Sequence, residues 1–193
     1  MSQRSLELKK RWKKGEVTYG AWIGLADPYV AEIMAGAGFD FLLIDMQHGV
    51  IGTETLFRMI NGLAPSESEI IVRVIWNDIH MVNQVLDFGA DGVIIPLTNT
   101  AEEVEQAISG AKYPPDGIRS WGPKLTEKYG GQPDYHKRAN DEILVLPQIE
   151  SVEAADNLDE ILTVKGIDGI MIGPNDLAMS TGLPAGIGQK AIE

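Results

Sequence analysis

The stretch Gly38-Phe39-Asp40-Phe41-Leu42-Leu43-Ile44-Asp45-Met46-Gln47-His48 decides the fold. A glycine able to take the left-handed conformation that ends a helix leads into a short apolar run, which empties into an acid, an amide and an imidazole. The run from Phe41 to Ile44 is apolar at successive positions. A strand of that kind is covered on both faces, as in a parallel sheet wrapped by helices. The same Gly-x-Asp precedes two further runs, as Gly89-Ala90-Asp91 and Gly166-Ile167-Asp168, so one strand-helix unit is used repeatedly.

Five more apolar runs lie outside this one, over residues 19–25, 70–75, 93–96, 143–149 and 170–172. Between them the apolar residues fall at helical spacing: Leu56, Met59, Ile60 and Leu63; Val104, Ala107, Ile108 and Ala111; Val152, Ala155, Leu158 and Ile161. Asp78 and Ser151 stand as N-caps, and Thr100 with Glu103 forms a capping-box pattern. Alternating strands and helices make an α/β fold, and six near-equal units favour a barrel over an open doubly wound sheet. No Gly-x-Gly-x-x-Gly follows the first strand, so dinucleotide binding loses its main support. The expectation is a single barrel domain over residues 1–193. The end, Ala191-Ile192-Glu193, reads as entry into another helix. Residues 113–141 break the rhythm with Pro114-Pro115, Gly122-Pro123 and Gly130-Gly131. They read as a long functional loop with a short helix near residues 135–139.

A net charge of -12 and a pI near 4.6 argue against nucleic acid or an anionic membrane as partner. The basic cluster Lys9, Lys10, Arg11, Lys13 and Lys14 reads as the solvated face of a first helix that carries Leu6, Leu8 and Trp12. The absence of cysteine excludes disulfides, thiolate metal sites and a cysteine nucleophile, and fits the cytoplasm. No apolar run approaches the ~20 residues that span a bilayer, and the N-terminus has no signal-peptide core.

In a parallel barrel the carboxyl ends of the strands converge on one mouth. This chain puts Asp45, Gln47 and His48 after its second run, Arg73 within its third, Gln148 and Glu150 at the end of its fifth, and Gly173-Pro174-Asn175-Asp176 after its sixth. Glu150 and Asp176 follow neighbouring strands and can share one hard divalent cation; the plain alternative has Asp176 capping a helix that begins at Leu177. Arg73 needs an anion, either substrate or a structural partner among Asp45, Asp87 and Glu150. His48 reads as a general base tuned by Asp45, or as an ordinary satisfied histidine, the category in which His80 and His136 stay. The turn at Gly173, Pro174 and Asn175 offers backbone amides to an anion. Together these groups suit a metal-chelated α-keto acid.

These segments resemble the HpcH/HpaI aldolases, metal-dependent class II pyruvate aldolases. The likeness rests on residues 41–49, on Val72-Arg73-Val74, on residues 86–90 with 93–96, on residues 113–119, on Gln148-Ile149-Glu150 and on residues 172–177. It implies a TIM (β/α)8-type barrel of eight strand-helix units and about 250 residues, of which this chain of 193 lacks the last two units, as a fragment or a barrel completed by another chain. It also implies a magnesium, manganese or cobalt ion held by Glu150 and Asp176. It further implies retro-aldol cleavage of a 4-hydroxy-2-oxo acid, or of a 2-keto-3-deoxy sugar acid, to pyruvate and an aldehyde. His48 is then the acid/base, supported by Asp45 and Asp87; Arg73 holds the pyruvyl oxygen; Gln148 lines the metal pocket. Residues Gly173, Pro174 and Asn175 receive the carboxylate, and Arg119 with Trp121 borders the aldehyde. Family members assemble as homo-oligomers, usually hexamers. Gln47 departs from the acid that many relatives carry before the histidine. Two other readings stay open: a carbon-carbon lyase on an acyl-CoA, like the citrate lyase beta type, and a non-catalytic truncated barrel that acts only in assembly. A phosphate-binding barrel isomerase would want a Gly-rich loop that the chain does not contain.

Overall fold

The computed structural model of the protein describes residues 4–124 and 134–184. After helix α1 (Arg4–Lys13) strands and helices alternate: β1 (Gly20–Ile23), α2 (Pro28–Ala35), β2 (Phe41–Asp45), α3 (Thr53–Leu63), β3 (Glu69–Arg73), α4 (Ile79–Asp87), β4 (Gly92–Ile95) and α5 (Ala101–Ala111). Then come α6 (Tyr135–Glu142), β5 (Leu144–Ile149), the short α7 (Val152–Asp156) and α8 (Leu158–Ile161), β6 (Met171–Ile172) and α9 (Pro174–Ser180). Every pairing is parallel and the strand order is β1-β2-β3-β4-β5-β6. The six apolar runs are the six strands, each shifted by a few residues at most.

The TIM barrel expectation needs correcting. Among the described residues the sheet is an open, curled half-barrel: β1 pairs only with β2 and β6 only with β5, so no strand closes the ring. Six strands at barrel curvature span only part of the circle that eight complete. The expected helix at residues 191–193 and part of the long loop, residues 125–133, lie outside the described residues.

Two apolar layers hold the sheet. On its outer face Leu42, Ile44, Ile70, Val72, Val93, Ile95 and Val145 pack against the helices, where Leu56, Met59, Ile60 and Leu63 of α3 are buried along one stripe. On the inner face Leu43, Ile71, Ile94, Leu144 and Leu146 pack with Leu8 of α1, and Trp12 lies against the same cluster. The basic residues of α1 thus sit on a helix whose apolar side fills the hollow of the sheet.

The predicted caps form. Asp78, Thr100 and Ser151 accept from backbone amides of His80, Glu103 and Ala154. Glu103 completes its box one residue early, accepting from Asn99 N at 2.6 Å. The helix expected over residues 152–161 splits at Asn157, whose side-chain amide donates to the Asn99 carbonyl at 2.9 Å and ties this bend to the loop after β4.

Each Gly-x-Asp does two jobs. Gly38, Gly89 and Gly166 have φ of +82, +102 and +103°, the left-handed region that glycine enters without penalty. The aspartates then fasten the start of the preceding strand: Asp40, Asp91 and Asp168 accept from the amides of Tyr19, Ile70 and Val145 at 2.7, 2.9 and 3.0 Å. Their own amides donate back to the carbonyls of the same residues. Asp91→Ala strands the amide of fully buried Ile70 and is expected to cost about 1–3 kcal/mol. Urea unfolding measures it, and an unchanged midpoint would contradict the fastening role.

Candidate active site

Side chains alternate across a strand, so Leu43 and Asp45, Ile71 and Arg73, and Leu146 and Gln148 share the inner face. That face is apolar at the amino ends of the strands and polar at their carboxyl ends. Register sets Asp45 of β2 directly beside Arg73 of β3.

Their pairing is bidentate: Arg73 donates from Nε to Asp45 Oδ1 at 2.9 Å and from Nη2 to Oδ2 at 2.6 Å, with both residues buried. Asp45 also accepts from Trp22 Nε1 at 3.2 Å and from the amides of Gln47 and His48 at 3.0 and 3.3 Å. Burial alone would raise its pKa, but Arg73 and these donors outweigh it and hold the carboxyl below the usual range. The guanidinium also lies 4.7 Å over the Trp22 ring. Among the alternatives for Arg73, the Asp45 ion pair is the one present, and it leaves Nη1 without a partner among the described residues. Asp45 meets His48 through the backbone amide; the imidazole is exposed on the loop after β2.

At the ends of β5 and β6, buried Glu150 accepts from the amide of Leu97 at 2.8 Å and from the amide nitrogen of Gln148. Burial, aided by the nearby Asp176 charge, raises the Glu150 pKa against the pull of the Leu97 amide, Gln148 and Arg73. The Oε1 atom of Gln148 is buried with no partner among the described residues. Gly173 closes this corner: a Cβ there would lie 2.6 Å from Glu150 Oε2 and 2.9 Å from Gln148 Nε2. Pro174 opens α9, so Asp176 falls in its first turn, where the helix dipole favours an acid, and Gly173 takes the cap position. Pro174, Asn175 and Asp176 are exposed beside this corner.

Asp87 and Arg119 lie elsewhere. Asp87 ends α4, four residues before the Asp91 that fastens the start of β3, so it sits at the amino end of the sheet. There Arg119 donates to it at 2.8 Å and stacks 4.5 Å over the Tyr113 ring, while Trp121 packs on Tyr113, Tyr135 and His136. Burial raises the Asp87 pKa even though Arg119 opposes it. Within this chain neither residue reaches the groups around Glu150.

The family model of the HpcH/HpaI aldolase/citrate lyase family matches residues 18–191. The chain belongs to that family. The 4-hydroxy-2-oxo-heptane-1,7-dioate aldolases of Escherichia coli and Salmonella paratyphi B are 42% and 44% identical to it over 176 residues, 90% of this chain and 67% of each relative. A crystal structure of an HpcH/HpaI aldolase/citrate lyase family protein from Burkholderia cenocepacia J2315 superposes with a TM-score of 0.87 at 29% identity, covering 96% of this chain and 77% of that one.

A divalent cation fits this HpcH/HpaI site. Its available donors are all oxygens, the Glu150 and Asp176 carboxylates and the orphaned Gln148 Oε1, which suits a hard ion. Among the described residues no third acid or histidine joins them. Two contributors escaped the sequence reading. Trp22 was detectable, being an inward-facing aromatic of β1, whereas the Leu97 amide was not, because it depends on a leucine at φ +52° that nothing local demands.

Proposed function

We propose that this chain is a divalent-metal-dependent aldolase that splits a 4-hydroxy-2-oxo acid, or a 2-keto-3-deoxy sugar acid, into pyruvate and an aldehyde, and runs the reverse addition. Kinship with the curated aldolases makes it a carbon-carbon lyase. Chief support for the details comes from the oxygen set of Gln148, Glu150 and Asp176 at the same end of the sheet as the Asp45–Arg73 pair. Glu150 and Asp176 would hold the cation; magnesium, manganese and cobalt all suit such ligands. Bound there, a divalent ion supplies Lewis-acid stabilisation of the charge that develops on the 2-oxo oxygen.

The chain's own groups do the rest. Asp45 fixes Arg73 through two hydrogen bonds, leaving Nη1 to donate to that same oxygen as the C3–C4 bond breaks. His48 takes the proton of the 4-hydroxyl, the aldehyde departs, and the bond's electron pair passes into an enolate; a proton returned to C3 gives pyruvate. The turn of Gly173, Pro174 and Asn175 takes the substrate carboxylate. We further place the enzyme in the cytoplasm as a homo-oligomer, for which exposed Tyr29 and Ile33 of α2 offer apolar contact.

Pyruvate release from 4-hydroxy-2-oxo acids tests this. Release is expected to vanish with EDTA and to return with manganese or magnesium. Release indifferent to EDTA, or none with any metal, would contradict the proposal. His48→Ala is expected to lower turnover about 100- to 10,000-fold while the thermal midpoint stays put, since the side chain is exposed. Near-normal turnover in that variant would remove His48 from its role.

A further inference from the structure

At the end of the sheet opposite Glu150, five of the chain's ten lysines line one cavity of about 700 Å3. Lys9, Lys10 and Lys13 come from α1, Lys112 follows α5, and Lys165 precedes β6. Three carboxylates, Asp116, Asp141 and Asp168, share the lining, so cations outnumber anions in a chain of net charge -12.

Much of the acid is already engaged. Asp168 pairs with Lys9 at 2.9 Å and accepts from the Val145 amide, and Asp116 accepts from Asn140 at 2.8 Å. Lys9 Nζ donates to the carbonyls of Asp141 and Ile143 at 2.6 and 2.9 Å, and Lys112 Nζ to those of Asn140 and Ile143 at 2.5 and 3.1 Å. Two ammonium groups therefore converge on the single Ile143 carbonyl. Burial and the charge of Lys9 push the Lys112 pKa down to about 8, against the pull of Asp168, Asp141 and Asp116. Lys13 and Lys165 are exposed and have no carboxylate partner among the described residues.

We infer that this cavity binds a phosphorylated small molecule, its phosphoryl group held by the lysines around Lys9 and Lys112 and its organic part against Leu6 and Ile108. The volume lies in the range of small-molecule pockets, roughly 300–1,000 Å3. Every cation in the lining is a lysine. Ammonium groups with three rotatable donors suit a tetrahedral oxyanion, whereas a planar carboxylate is matched best by an arginine fork, and the lining has none. Lying at the amino ends of β5 and β6, the site is separate from the aldol chemistry, and its occupant is not the substrate being cleaved.

Calorimetric titration of the EDTA-treated chain with inorganic pyrophosphate tests the site without any assay of turnover. Pyrophosphate is expected to bind at least about tenfold more tightly than citrate, and more weakly as salt is raised. The double variant Lys13→Ala/Lys165→Ala, which alters only exposed side chains, is expected to weaken binding about tenfold or more. Lys137→Ala, whose ammonium pairs with Asp134 outside the cavity lining, and Glu150→Gln should leave it unchanged. No heat at millimolar pyrophosphate, equal binding by the double variant, citrate binding as tightly, or loss in Glu150→Gln would each overturn the inference.

Discussion

Glu150→Ala is expected to lower pyruvate release by roughly 1,000-fold, about 4 kcal/mol of transition-state stabilisation, and to abolish manganese binding. Glu150 is buried at the end of β5 and feels the charge of exposed Asp176 beyond β6, so removing it leaves one exposed acid there to hold a divalent ion. The same change strands the Leu97 amide and the Gln148 amide nitrogen, so a loss of stability is expected alongside. Glu150→Gln narrows the second effect: its oxygen can still accept from Leu97 and it keeps the volume that Gly173 leaves free, while it loses the charge and the oxygen that accepts from Gln148, whose amide must turn to present Oε1 instead. Manganese titration with steady-state pyruvate release measures both variants. Metal affinity and turnover within a few-fold of the parent in Glu150→Gln would show that the cation is held elsewhere.

Asp45→Asn should be the most destabilising single substitution at this end of the sheet, at about 3–5 kcal/mol, because it leaves the Arg73 guanidinium buried without its counter-charge. The pH dependence has a definite sign. Asp45 has a folded pKa below its ordinary value of 3.8, so its contribution is fully present above that value and is lost as pH falls through the lower folded pKa. The gap between parent and variant in urea unfolding is therefore expected to hold from neutrality down to about pH 4 and to narrow below it. A loss under about 1 kcal/mol would mean that Arg73 finds another anion or reaches water on its own.

Much of the fold was legible because the signals were local. Strand runs, helical spacing and the caps at Asp78, Thr100 and Ser151 depend on residues within one or two turns of each other, and the Gly-x-Asp units announce a left-handed residue by composition alone. What the aspartate of each unit does was hidden, since Asp91 fastens Ile70, 21 residues earlier. The barrel expectation failed for a related reason. A count of repeated units specifies how strands follow one another, but closure requires a first and a last strand to pair, which repetition cannot show.

The candidate site divides the same way. That acids, an arginine, a glutamine and a histidine stand at strand ends was determined by the sequence itself, because strand direction and the two-residue alternation place them there with no knowledge of distant contacts. Which of them meet was decided only by the tertiary structure. Register sets Asp45 beside Arg73, a left-handed Leu97 turns its amide to Glu150, Asp87 and Arg119 pair at the opposite end, and lysines from three separated segments share one cavity. Each of these contacts joins residues far apart in the chain. A charge taken out of water must find a partner wherever packing has brought one within reach, and that choice is made by the folded surface rather than by neighbouring residues.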